Sequence, residues 1–129
     1  MKTLVGVVLA SGLSSAAAGA LQECKSDPGG EVRVLRCLER AKEVATEQML
    51  ERFLEVQQAV TALGGRHAEQ AAMALKQSQR AFERYLAEHC HGLETLVVEG
   101  AAAALACETD LLRQRATVLE TIDVAPERL

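Results

Sequence analysis

The chain of 129 residues has no tryptophan, one tyrosine, two phenylalanines and two prolines. So few aromatic residues exclude a core or a binding platform built from stacked rings, and leave Phe53, Phe82 and Tyr85 as the only large planar side chains available to pack. No stretch alternates apolar and polar residues as a half-buried strand does, and no repeat or low-complexity linker divides the chain. A glycine-rich phosphate loop, a Gly-x-Ser-x-Gly elbow and a His-Glu-x-x-His pair are all missing. The many glutamates fall where four-residue charge spacing on solvated helix faces explains them, so the chain is read as a non-enzyme that needs no cofactor. An excess of basic residues is also lacking: 14 Lys and Arg face 18 Asp and Glu. Such a balance argues against nucleic acid or an anionic membrane as partner and favours a basic protein.

Residues 1–20 have the features of a secretory signal peptide. Lys2 is followed by a short apolar stretch from Leu4 to Leu13, and Ala18-Gly19-Ala20 offers small residues for a peptidase. Ser11, Gly12, Ser14 and Ser15 break the stretch below the ~20 apolar residues of a membrane span, so no stable anchor is expected. Leu21-Gln22-Glu23-Cys24 has the outline of a lipid-attachment box, but Gln22 and Glu23 occupy positions that want small uncharged residues. Removing 20 residues leaves 109, read as one domain over 21–129; the loss of Lys2 leaves 13 basic against 18 acidic residues, a net charge of −5. A core of that size gains from staples, and four cysteines behind an export signal point to two disulfides in the periplasm or outside the cell. Three connectivities are open. Local pairing of Cys24 with Cys37 and of Cys90 with Cys107 is the favoured one, each loop being worth about 3 kcal/mol.

From Val32 to Leu63 apolar residues recur every three or four positions, with glutamates and arginines on the other faces. This predicts one long helix, begun after the Asp27-Pro28-Gly29-Gly30 turn and ended by Gly64-Gly65. A second helix is expected from near His67 to about Gly92, with Leu93, Leu96 and Val97 as an extension, and a third from Ala101 to the Val124-Ala125-Pro126 stop. The expected fold is therefore all-α, a small antiparallel bundle of about three helices with two disulfides. Phe53, Phe82 and Tyr85 are expected to meet in the core between the first two long helices, the Tyr85 hydroxyl finding a partner at its edge. His89-Cys90-His91 contains metal-ligating types, but adjacent helical residues diverge by roughly 100° and a disulfide cysteine cannot ligate, so no metal is expected.

The run Gln79-Arg80-Ala81-Phe82-x-x-Tyr85, followed by Cys90, Cys107 and Arg115, resembles the second half of the LprI-type lysozyme inhibitor family. That family's pattern there is a glutamine, an alanine, an aromatic that is usually tryptophan, an aromatic-arginine pair, a cysteine, and a later cysteine leading into Thr-x-x-Arg. Its first half carries Asp-x-x-Leu-Asn-x-x-Tyr, which the register from Cys37 places on Thr46, Met49, Leu50 and Phe53. Phe82, Leu86, Leu50, Thr46 and Leu112 depart from the usual tryptophan, arginine, asparagine, aspartate and threonine, so the chain is similar to a divergent member. The resemblance implies an exported protein that binds and blocks a cell-wall hydrolase without turnover. An immunity protein or envelope adaptor with another protein partner is the alternative. Gly64-Gly65 and the segment from Gly92 to Gly100, with Glu94 and Glu99, are the candidate contact regions.

Overall fold

The computed structural model describes residues 19–26 and 29–124. Four helices follow in order: α1 (Ala20–Lys25), α2 (Gly30–Leu63), α3 (Gly65–Leu96) and α4 (Gly100–Glu120), with no strand among the described residues. Residues 1–18 of the segment expected to be a leader, Asp27-Pro28 and Pro126 lie outside the described residues, whereas Gly19 and Ala20, the last two residues of that segment, are described, Ala20 as the first residue of α1. The three long helices are the ones that the apolar spacing predicts, starting two residues earlier than expected at each of the first two. The short α1 was not expected; six residues carry too little periodicity to announce a helix.

At 34 and 32 residues, α2 and α3 are each roughly 50 Å long. A single residue, Gly64, joins them. Both Gly64 (φ 65°) and Gly65 (φ 84°) take left-handed backbone angles that a side chain would oppose, which is how so short a link reverses the chain. The 21-residue α4 then returns alongside both, packing most extensively on α2 and next on α3. The bundle therefore runs up, down, up, with α4 parallel to α2 and antiparallel to α3.

Burial is split between two clusters along α2. Toward the Gly64 end, Ala45, Met49, Val56 and Val60 meet Ala68 of α3 and Leu112 and Leu119 of α4, with Phe53, Phe82 and Leu86 packed against them. Toward the other end, Leu38 meets Ala20 and Cys24 of α1 and Ala102 and Ala106 of α4. Small residues in the first turns of α4 bring its backbone close to α2, leaving room for α1 to close that end of the core. Two disulfides staple it in the local pairing: Cys24–Cys37 joins α1 to α2 and Cys90–Cys107 joins α3 to α4, each with 5.6 Å between Cα atoms.

The replacement at Leu112 is buried in the core and that at Leu86 packs half-buried against it, while Leu50 stays 43% exposed. Tyr85 departs from expectation. It is 52% exposed and stacks on His89 with ring centroids 5.1 Å apart, outside the cluster that holds Phe53 and Phe82. The inward line of α3 passes through Gln79, Leu86 and Cys90, and Tyr85 stands roughly 120° around the helix from Gln79. Spacing alone brought Phe82 and Tyr85 to one face, but that face straddles the core's edge.

Candidate functional site

The motif residues other than Tyr85 assemble into a polar clamp where the three long helices meet. Gln79 is buried on α3, and its amide donates to Met49 Sδ of α2 at 3.3 Å and to Glu83 Oε1 at 3.3 Å. Its carbonyl accepts from Arg115 Nε of α4 at 3.2 Å. Arg115 also donates to Ser78 Oγ at 3.2 Å, and its guanidinium carbon lies 5.6 Å from the centre of the Phe82 ring. Partial burial lowers the Arg115 pKa from its ordinary value. Every polar atom of the buried amide is used, which fixes the axial register of α3 against α2 and α4. Phe53 supports the same cluster from α2. Beside the clamp, Phe82, Tyr85, Leu111, Gln114, Arg115 and Val118 line a shallow groove of about 260 Å³.

A second feature stands at the end of the bundle where α3 turns into α4. The connection is Val97-Val98-Glu99. Leu96 is 79% exposed and Val98 94%, so two apolar side chains on either side of Val97 project into solvent beyond the core. The turn beneath them is tightly fixed. Glu99 holds a left-handed backbone (φ 61°) that is costly for a residue with a β-carbon. Gly100 is pressed against the Glu94 backbone so closely that a β-carbon on it would lie 2.1 Å from the Glu94 carbonyl oxygen. Lys25 of α1 pairs with Glu99 at 3.2 Å, His91 with Glu94 at 3.3 Å, and Cys90–Cys107 lies just below.

The acidic residues singled out in this segment, Glu94 and Glu99, are therefore exposed but paired, and they frame an apolar projection. Sequence reasoning missed Leu96 and Val98 because Leu93, Leu96 and Val97 continue the helical spacing of α3 and so resemble core positions. The available signal was the Val97-Val98-Glu99 run, which ends at Gly100 and leaves three residues between one helix and the next. Gly64-Gly65, the other candidate region, sits at the opposite end and presents only the short link and the exposed Arg66 and His67.

Other depressions lie on open helix faces. One is lined by Arg33, Arg36, Glu39, Arg40 and Glu43, another by Glu51, Arg52, Arg113 and Glu120, and in both acids alternate with bases instead of facing one another across a cleft. Within the His89-Cys90-His91 run, His89 stacks on Tyr85, Cys90 is bonded to Cys107 and His91 lies exposed beside Glu94. Among the described residues no helix is long and apolar enough to cross a membrane. A family model described as lysozyme inhibitor LprI matches residues 23–119. No curated protein and no solved structure matches the chain.

Proposed function

The chain belongs to the LprI lysozyme inhibitor family, and from that premise we propose that it is exported to the periplasm and blocks a basic cell-wall hydrolase by docking its α3–α4 tip into the enzyme's substrate cleft. The observation that carries this reading is the exposed Leu96 and Val98 pair, held on a turn that the neighbouring disulfide, the Gly100 contact and the Lys25–Glu99 pair fix before any partner arrives. A projection already ordered in the free protein gives up little conformational entropy on binding. Its apolar side chains supply the desolvated centre and the acidic groups around them, Glu94 and Glu99, supply a polar rim. The net charge of −5 that remains once the leader with Lys2 is removed, 13 basic against 18 acidic residues, steers the protein toward a basic enzyme and adds mainly to the association rate. Inhibition is then stoichiometric occlusion, with no bond made or broken.

In this scheme the clamp of Gln79, Phe82 and Arg115 is scaffold, and the protein acts as a binder without catalysis. An activity assay of several lysozyme types with the mature, oxidised protein tests the reading. At least one type should lose activity in proportion to added protein. Full activity of every type, with no detectable binding, would leave the immunity or adaptor role as the better account.

A further inference from the structure

We propose that two copies of the chain associate through the exposed side of α3 and α4, antiparallel about a two-fold axis that crosses both helices at the level of Phe82 and Arg115. This surface is separate from the tip assigned to the hydrolase, and the proposal does not rest on that assignment.

Spacing lays the face out. On α3, Ala74, Ser78, Ala81 and Tyr85 follow one another by four, three and four residues. On α4, Cys107, Leu111, Gln114 and Val118 repeat the same steps, with Ile122 just beyond the helix end. Such steps keep each set on one side of its helix. The two sides adjoin, because Tyr85, Leu111, Gln114 and Val118 share the groove with Phe82 and Arg115. Val118 is 51% exposed and Ile122 41%, Tyr85 is as open, and Ala74, Ser78, Ala81 and Gln114 are exposed beside them. Large apolar side chains grouped in this way mark an interaction surface.

Charge chooses the occupant. None of the nine spaced residues is Asp, Glu, Lys or Arg. Arg115, the charged group of the groove, is engaged with Gln79, Ser78 and the Phe82 ring. A basic hydrolase gains no steering from such a face. The outer side of α2 is the contrast: Glu39, Glu43, Glu47, Glu51 and Glu55 are all exposed, so copies meeting there would set carboxylate against carboxylate. Each mature copy carries a net charge of −5, and the α3–α4 face lets two such chains meet without opposing like charges. The antiparallel arrangement also keeps Glu94 and Glu99 of the two tips at opposite ends.

Shape agrees with a second copy. Arg115 lies over the Phe82 ring, so the two helices are level there. A two-fold axis at that level sets Tyr85 near Ala81 of the second copy and Val118 near its Leu111. Each pairing occurs twice, as an isologous interface requires. A ring facing an alanine lets α3 lie close to its copy. The face is about 25 Å long and two helices, or about 20 Å, wide, so each copy contributes roughly 500 Å² and the pair about 1,000 Å². That is the lower limit for a specific interface, and the dimer should therefore dissociate on dilution. Leu96 lies about 16 Å further along the α3 axis than Tyr85, which leaves both tips clear of the contact.

Sedimentation equilibrium of the mature, oxidised protein from about 10 µM to about 1 mM tests this, the range suited to an interface of that size. The average mass should climb from that of one chain toward twice that value. Val118→Glu and Ala81→Glu each put a carboxylate on the face at a position already in water. Helix content and thermal midpoint should hold in both, while association weakens at least about tenfold. The tip variant L96S/V98S should associate as the parent does. A parent that stays monomeric throughout overturns the inference, as does a dimer that the glutamates leave intact or that L96S/V98S abolishes. Inhibition measured on the same proteins keeps the two claims apart. Val118→Glu should inhibit like the parent; a monomeric parent whose inhibition Val118→Glu destroys would give the face to the hydrolase instead.

Discussion

Replacing Leu96 and Val98 together by serine separates binding from folding. Both side chains are already in water, 79% and 94% exposed, so L96S/V98S removes no core contact and should leave the unfolding free energy within about 0.5 kcal/mol of the parent. On a hydrolase the same pair would be desolvated. Full burial of a leucine or valine is worth about 1.5–3 kcal/mol, and allowing for incomplete burial of each gives a combined loss of roughly 3 kcal/mol. That corresponds to an inhibition constant weakened on the order of 100-fold. The assay is hydrolase activity against inhibitor concentration for both proteins, with thermal unfolding run in parallel. An unchanged inhibition constant with unchanged unfolding would refute the assignment of the tip as the docking surface.

Removing the Cys90–Cys107 staple as C90A/C107A opens a loop of sequence separation 17 and should cost about 3 kcal/mol in urea unfolding, with a larger loss of inhibition than of helix content, because the tip sits on that bond. Arg115→Ala leaves the buried Gln79 carbonyl without its donor and the Phe82 ring uncovered, and should lower stability by about 1–3 kcal/mol while barely changing inhibition at temperatures where the variant is folded. Gly100→Ala puts a β-carbon 2.1 Å from the Glu94 carbonyl oxygen, so the turn must open; a thermal midpoint within a degree of the parent would contradict the close approach described here.

How far the sequence reveals this molecule differs from element to element. The end of α2 and the start of α3 are legible because an uninterrupted three-to-four spacing ends on paired glycines that accept positive φ, whereas the end of α3 at Leu96 is not, its apolar spacing running on past Gly92. The disulfide pairing is legible because each local loop spans a helix junction. Helix α1 is not, since its stability comes from Asp110 and Arg113, both 90 residues from their partners. Tyr85 was misplaced because two aromatics three residues apart share a face whether or not that face is centred on the core. The tip was half legible: glycine and glutamate marked a connection, but exposure of Leu96 and Val98 depends on where α4 returns, and helical periodicity is blind to that.

Hydrogen exchange of the mature, oxidised protein with and without a lysozyme it inhibits tests the central claim most directly. The account predicts new protection of backbone amides confined to the segment from Leu93 to Ala101, around the apolar tip. Protection centred on the groove beside Tyr85 and Val118 or on the Gly64-Gly65 link, with the tip exchanging as in the free protein, would contradict it.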